Sequence, residues 1–94
     1  MVYMMLRFKV ADYERWKATF DGSALWRMNI GEQDYHVYRN VDDPNEVTLL
    51  EGWEDFTTAQ LFATSDDLRR KNDEGGVIGP PQILFLNEVE GKML

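Results

Sequence analysis

The sequence predicts an α+β fold in which two helical segments cover one face of a four-stranded antiparallel sheet. Two observations come from periodicity: apolar residues recur at helical spacing in two stretches, and alternate or run continuously in four short ones. The third observation is the order of these stretches, which is β-α-β-β-α-β along the chain. Right-handed crossovers place both helices of such a unit on the same side of the sheet.

The first strand is predicted at residues 2–9, where apolar residues occupy both faces near the start. Because a strand covered on one side alternates more cleanly with polar residues, we expect something to pack on each face of the sheet. Asp12 is predicted to cap the following helix by accepting backbone N–H bonds. The apolar stripe of this helix is predicted to consist of Tyr13, Trp16, Phe20, Ala24 and Met28.

Gly22-Ser23 interrupts this first helix and is predicted to change its direction. Glycine within a helix costs about 1 kcal/mol relative to alanine, so a bend is expected at this point. Leu25 and Trp26 would then turn towards a different neighbour, and Gly31 would end the element.

A hairpin follows, with strands predicted at residues 34–40 and 47–53 and a turn at residues 41–46. Its second strand leads directly into the second helix, which Asp55 is predicted to cap. The apolar residues at helical spacing in this helix are Phe56, Ala59, Phe62 and Ala63.

The last quarter of the chain is predicted to hold a short helix and a final strand. Ser65 can cap a helical piece that extends to about residue 70 and is stopped by Gly75-Gly76. Gly79-Pro80-Pro81 excludes helix and is predicted to lead into a strand at residues 82–89.

Composition predicts one small domain, residues 1–94, with a single core, since 44% of the residues are hydrophobic. The chain has no cysteine and one histidine, which excludes disulfides, thiol nucleophiles and an ordinary zinc site. A net charge of −7 disfavours nucleic acid and anionic membranes as partners. No apolar run is long enough for a signal peptide or a membrane span, so we expect a cytoplasmic protein.

The sheet face without helices should carry an apolar surface, with Met5, Leu84 and Leu86 or their opposite neighbours as candidates. Such a surface would be too large for a stable monomer. We therefore expect a homodimer that packs sheet face to sheet face.

The chain resembles the dimeric α+β barrel (ferredoxin-like) superfamily, and within it small uncharacterised proteins similar to cyclases or antibiotic-biosynthesis monooxygenases. The resemblance covers most of the length and rests on short motifs in a fixed order. These are Val10-Ala11-Asp12-Tyr13, Trp16-Lys17, Phe20-Asp21, Tyr38-Arg39-Asn40, Asp42-Asp43-Pro44-Asn45-Glu46-Val47, Glu51-Gly52-Trp53, Ser65, Asp67-Leu68-Arg69, Gly76-Val77 and Gly79-Pro80-Pro81.

This resemblance implies that the sheets of two subunits close into a barrel, with a small apolar pocket in each subunit between sheet and helices. The wider superfamily includes cofactor-free monooxygenases of aromatic polyketides, haem-degrading enzymes, small isomerases and proteins without known activity. Better-known members often carry a histidine one or two turns beyond the tryptophan. Here that region holds Thr57, Thr58, Gln60, Phe62 and Ala63. We therefore expect no haem ligand from this helix, and no cofactor.

His36 and Glu51 are the candidate catalytic residues. His36 is the side chain that titrates nearest neutral pH, although it can also be a plain edge-strand histidine. It lies opposite Glu51 if Asn40 pairs with Val47, whereas a shift of one residue puts Tyr35 opposite Glu51.

Glu51 lies within an apolar strand, where a buried carboxylate must be paired or protonated. One interpretation is an ion pair with Arg7 or Arg39 that bridges strands. The other is a base with a raised pKa in a pocket.

Four further residues are candidates for binding a substrate: Arg7, Tyr38, Trp53 and Phe62. Most aromatic residues at helical spacing belong to a core, but Trp53 is expected to form a pocket wall because it ends a strand.

Two functions remain open from the sequence. One is a cofactor-independent monooxygenase or cyclase that acts on an aromatic, polyketide-like substrate by proton abstraction. The other is a non-catalytic dimeric module, ligand-binding or stress-related, which the lack of a nucleophile or metal set favours.

Overall fold

The computed structural model describes all residues, 1–94. Four strands and four helices follow one another as β1 (Val2–Val10), α1 (Tyr13–Gly22), α2 (Ala24–Ile30), β2 (Glu32–Arg39), β3 (Glu46–Trp53), α3 (Phe56–Ala63), α4 (Asp66–Glu74) and β4 (Val77–Asn87). The predicted order is confirmed, with each helical segment divided in two. The strands form one sheet in the order β2-β3-β1-β4, and all neighbouring strands are antiparallel.

Side-chain caps start three of the four helices, as the sequence predicted. Asp12 Oδ2 accepts the backbone N–H of Arg15 at 3.3 Å, and Asp55 Oδ1 accepts that of Thr58 at 2.7 Å. Ser65 Oγ accepts the backbone N–H of Leu68 at 3.1 Å. These bonds satisfy donors that the first turn of a helix leaves without partners, so each helix begins at a defined residue.

The predicted break at Gly22-Ser23 is confirmed, but its effect on the buried stripe was predicted wrongly. Trp16 and Phe20 are buried as expected, whereas Met28 is 62% exposed. Ser23 and Arg27 are buried instead, because Arg27 follows Phe20 by seven residues, close to two helical turns, and so lies on the same face as Phe20.

The same break also decides where the next two side chains lie. Trp26 turns towards Phe62, as expected for a different neighbour, and their ring centroids are 5.3 Å apart. Leu25 is 68% exposed, so the expectation that it also packs against another part of the chain is wrong.

The core lies between one face of the sheet and the helices. Every second residue of β1 and β3 points into it, and α1 and α3 cover it. The buried apolar residues are Met4, Leu6, Phe8, Val10, Trp16, Phe20, Val47, Leu49, Trp53, Ala59 and Phe62.

The opposite face of the sheet is not covered by any helix of the chain. Tyr3 and Met5 of β1 lie there, and Met5 pairs with Leu50 of β3 and Leu84 of β4. Leu84 and Leu86 are 43% and 42% exposed. We call this surface the bare sheet face.

β4 begins earlier than predicted, at Val77 rather than Gln82, and ends at Asn87. The glycine and prolines lie within the strand because β4 is an edge strand, where a missing N–H breaks no ladder bond. A register shift between Arg7 and Lys9 of β1 accommodates them.

None of the helices is long and apolar enough to cross a membrane.

Candidate active site

The candidate site forms around Glu51, which β3 points into the helix side of the sheet. Alternation along β3 buries Val47, Leu49, Glu51 and Trp53 on this face. The residue Glu51 is only 1% exposed, and neither of its carboxylate oxygens has a hydrogen-bond donor. An ionised carboxylate in such surroundings is strongly disfavoured, so its neighbours decide its charge.

Arg27 enters the core from α2 and holds its guanidinium beside Glu51. Its Nη1 donates to the carbonyl oxygen of Phe20 at 2.6 Å and to Ser23 Oγ at 2.7 Å. The guanidinium also lies over the Phe20 ring, 3.7 Å from its centroid. The helix break at Ser23 therefore supplies two acceptors that fix the position of this arginine.

Glu32 completes a buried cluster of three charged side chains. Arg27 Nε donates to both carboxylate oxygens of Glu32, at 3.0 and 3.2 Å, and lies 3.8 Å from Glu51 Oε2. One cation thus faces two acids, which would leave a buried net negative charge if both acids were ionised.

The protonation of Glu51 follows from this arrangement. Burial raises the pKa of Glu51 well above its ordinary value, and the neighbouring carboxyl of Glu32 raises it further. The positive charge of Arg27 acts in the opposite direction and is the weaker influence. Of the acids in the cluster, Glu51 is therefore the one whose proton is retained to a higher pH than that of an ordinary glutamate.

A cavity of about 40 Å³ adjoins this cluster. Its aromatic walls come from α1, α2 and α3, and its polar edge comes from Arg27 and Glu51. The lining residues used below are Trp16, Phe20, Trp26, Phe62, Leu68 and Asn72. The volume holds about three water molecules, given that one water needs roughly 10–15 Å³ measured with a water-sized probe.

Of the residues proposed from the sequence, Glu51 and Phe62 meet at this cavity. Trp53 is completely buried behind Phe62, with ring centroids 4.7 Å apart, and does not line the cavity. The expectation that Trp53 forms a pocket wall is therefore wrong for this cavity, and its indole N–H has no acceptor.

The other three proposed residues lie on the bare sheet face. Tyr35 pairs with Glu51, so the second of the two hairpin registers holds and His36 pairs with Leu50. The rings of His36 and Tyr38 stack at 6.4 Å between centroids. Because successive residues of a strand point to opposite faces, His36, Tyr38 and Arg7 lie on the face away from Glu51 and do not reach the cavity.

The expected ion pair of Glu51 with Arg7 or Arg39 is wrong. Arg7 pairs with Glu46 on the bare sheet face. Arg39 donates to the carbonyl oxygen of Pro44 at 2.8 Å and lies over the Tyr13 ring. The arginine beside Glu51 is Arg27, which comes from a helix rather than from a strand.

Solved structures resemble the chain over nearly its whole length. A candidate antibiotic biosynthesis monooxygenase from Bordetella bronchiseptica aligns with a TM-score of 0.79 and 18% identity, covering 95% of this chain and 97% of that chain. SnoaB, a cofactor-independent oxygenase from Streptomyces nogalater, aligns with a TM-score of 0.77 and 13% identity, covering 96% and 94%. A candidate antibiotic biosynthesis monooxygenase from Caulobacter crescentus aligns with a TM-score of 0.72 and 20% identity, covering 95% and 90%.

The chain has the fold of these monooxygenases. The resemblance in fold predicted from the sequence, ferredoxin-like α+β, is therefore confirmed. No protein-family model and no curated protein sequence matches the chain significantly. At identities of 20% and below, the monooxygenase-like fold is established and the activity is a separate question.

Sequence reasoning missed two members of the cluster in this monooxygenase-like fold, Arg27 and Glu32. The predicted stripe continued from Phe20 through Ala24 and Met28 and so did not include Arg27, and Glu32 was assigned to the loop before the second strand. One signal was present: Arg27 follows Phe20 by seven residues, which places both on the same face of a helix. A buried acid at position 51 needed a cation, and Arg27 is the arginine on that face.

Proposed function

We propose that this protein is a small enzyme that removes a proton from an aromatic, polyketide-like substrate and so starts its oxygenation or ring closure. The observation that carries the proposal is the carboxyl of Glu51, buried at an aromatic cavity with no donor on either oxygen. A side chain with a raised pKa in a cleft is a candidate for catalysis, and a base works best when its pKa lies near the working pH.

Arg27 supplies the second chemical element of the proposed site. It lines the cavity, and its Nη2 has no hydrogen-bond partner. A phenolate or enolate that forms when Glu51 takes a proton would accept a charge-assisted hydrogen bond from this nitrogen. The aromatic walls exclude water and leave the substrate anion poorly solvated.

The proposed oxygenation draws its electrons from the substrate alone. Once Glu51 has given up its own proton, a ring methylene loses a proton to the Glu51 carboxylate, and the carbanion reacts with O₂ and a proton to give a hydroperoxide. The hydroperoxide then loses water to form a ketone, so that CH₂ and O₂ become C=O and H₂O. Such a reaction matches the description of SnoaB as a cofactor-independent oxygenase.

At about 40 Å³ the cavity is too small for an aromatic molecule, so the proposal requires a movable wall. Leu68 and Asn72 of α4 line both the cavity and a larger outer groove. That groove lies between α4 and β4, with Pro81 and Ile83 on its far side. α4 has no buried residue, and such weakly packed elements open most easily. The reactive edge of the substrate would enter the cavity as α4 shifts outwards, and the remainder would occupy the groove.

A dimer formed through the bare sheet face is part of the proposal. Exposed leucines at positions 84 and 86 adjoin Met5 and Leu50, and apolar surface of this kind is normally covered. Covering it would leave the cavity on the outer, helix side of each subunit, as the fold resemblance implies. A cytoplasmic location accords with the absence of cysteine.

Oxygen uptake with a panel of anthrones and dihydroxynaphthalenes tests the activity. Wild-type protein should consume O₂ with at least one of them, and Glu51→Gln should lose about 10²–10⁴-fold in rate, the usual contribution of a general base. Glu54→Gln is the matched control, because Glu54 is an exposed acid three residues further along. The absence of turnover with every substrate, or an unchanged rate in Glu51→Gln, would contradict the proposal.

His36→Ala separates the two catalytic candidates. We expect its rate to equal that of the wild type, because His36 lies on the bare sheet face. A loss of activity comparable to that of Glu51→Gln would instead place the chemistry at the bare sheet face.

The second candidate function is a non-catalytic, ligand-binding dimeric module. The lack of a cysteine nucleophile and of a cluster of metal-ligating side chains favours it. Thermal shifts produced by aromatic ligands without any turnover would support this function over the enzymatic one.

A further inference from the structure

We propose that Glu51 and Glu32 share one proton, and that Glu32 passes it between the cavity and the solvent. This inference rests on the proposed function for its catalytic meaning. The shared proton itself is a property of the buried cluster and can be measured without any substrate.

That Glu51 and Glu32 share a proton follows from the hydrogen-bond donors around them. Arg27 Nε lies 3.0 Å from Glu32 Oε1 and 3.8 Å from Glu51 Oε2, so both carboxyl groups flank the same guanidinium nitrogen. Two ionised carboxylates around one cation repel each other, and one proton shared between them removes this repulsion. Arg27 Nε donates to Glu32, so the proton belongs mainly to Glu51 and the negative charge to Glu32.

The two acids border different spaces. Glu51 lines the inner cavity together with Arg27. Glu32 lines a surface groove between α2 and β2, together with Ala24, Met28 and Tyr35. The pair therefore connects the space proposed for the substrate with a space open to solvent, on the side of the core away from α4.

The other charged or titratable groups that face this pair are few. Arg27 comes from α2, Tyr35 pairs with Glu51 from β2, and Lys71 lines the cavity from α4. β1 places Met4 opposite Glu51, and α3 contributes Phe62 to the cavity. Asp34, also on β2, is a further carboxylate at the groove beside Glu32, and its Oδ1 is buried without a hydrogen-bond partner.

A relay of this kind would reset the base after each turnover. A proton taken from a substrate would otherwise remain on Glu51 for as long as the substrate closes the cavity. Transfer to Glu32 moves it to the groove while water stays excluded from the reacting atoms.

Infrared spectroscopy of the substrate-free protein at pH 7 tests the shared proton through the carbonyl stretch of a protonated carboxylic acid. The wild type and the Glu54→Gln control should show this band, and Glu51→Gln should lack it. Glu32→Gln should also lack the band although Glu51 is present. The new amide would donate a hydrogen bond to Glu51, and the negative charge of Glu32 beside Glu51 would be gone, so Glu51 would ionise. Glu32→Asp should retain the band, which separates the effect of the carboxylate from a general disturbance of the fold.

Persistence of the band in Glu32→Gln would overturn the shared proton, since burial alone would then protonate Glu51. A wild-type protein with the band but without any oxygenase activity would contradict the proposed function and leave the shared proton supported.

The exit route is tested separately by Ala24→Phe, which fills the groove outside Glu32 and leaves both acids in place. The band should remain, and its loss after a rapid jump to alkaline pH should be slower than in the wild type. Met28→Leu, a volume-conserving change in the same groove, is the control and should not slow it. An unchanged rate in Ala24→Phe would overturn the route through Glu32.

Discussion

Replacing Glu51 with glutamine should stabilise this protein, and increasingly so as the pH rises. In the unfolded chain a glutamate titrates near a pKa of about 4.3, whereas burial and Glu32 raise the pKa of Glu51 in the folded protein. Between these two values the folded state holds one proton more than the unfolded state. The free energy of unfolding of the wild type therefore falls as the pH rises through this window.

The slope of this loss is set by one proton. It amounts to about 1.4 kcal/mol for each pH unit between the unfolded and the folded pKa, and it ends above the folded pKa. Glutamine cannot ionise and has nearly the same shape as a protonated glutamate. Its amide can also donate to the carboxylate of Glu32. The difference between Glu51→Gln and wild type should thus be small at pH 4 and grow by about 1.4 kcal/mol per unit above pH 5.

Urea unfolding followed by tryptophan fluorescence measures this difference, since the chain has three tryptophans and two of them, Trp16 and Trp26, line the cavity. Protein concentration must be held constant across the series, because association would add to the apparent stability. Glu54→Gln is the control and should follow the wild type at every pH. Parallel curves for wild type and Glu51→Gln from pH 5 to pH 8 would refute the assignment of a raised pKa to Glu51.

Three further substitutions test the buried charged cluster around Glu51, the turn at Gly31 that precedes Glu32, and the bare sheet face. Arg27→Met leaves Glu32 buried without its cation and should cost about 3–5 kcal/mol of unfolding free energy. Gly31→Ala should cost about 1–3 kcal/mol, because Gly31 has a φ of 143° and a new Cβ would lie 3.2 Å from Thr58 Cγ2. Leu84→Glu places a charge on the bare sheet face and should convert a micromolar dimer into monomers, as measured by light scattering during size-exclusion chromatography.

Matched controls exist for each of these three changes. Arg69→Met removes an exposed arginine and should be nearly neutral. Gly22→Ala adds a Cβ with nothing within 4 Å and should not destabilise the protein. Leu61→Glu changes an exposed leucine on α3 and should leave the dimer intact. If a control has the same effect as the substitution to which it is matched, the structural reason given for that substitution is contradicted.

Periodicity and caps explain why the fold could be predicted from the sequence. Asp12, Asp55 and Ser65 act locally, so each cap is visible within four residues of sequence. Alternation along residues 47–53 likewise identified Glu51 as an acid in an apolar strand. Local signals of this kind do not depend on the tertiary structure.

The partners of Glu51 could not be predicted, because they depend on geometry that the sequence leaves open. After Phe20 the buried stripe can continue at positions 24 and 28 or at positions 23 and 27, and tertiary packing selects the second set, which buries Arg27 and exposes Met28. The hairpin register depends on one residue in the turn, and that residue decides whether His36 or Tyr35 lies beside Glu51.

The most direct test of the account is the titration of Glu51 itself. The ¹³C chemical shift of its side-chain carboxyl, assigned by its absence in Glu51→Gln, should be followed from acid to alkaline pH. The account predicts a midpoint well above the ordinary value of 4.5 for Glu51. A Glu51 carboxyl that titrates together with the exposed acids would contradict the account, because the cavity would then hold an ordinary carboxylate at neutral pH.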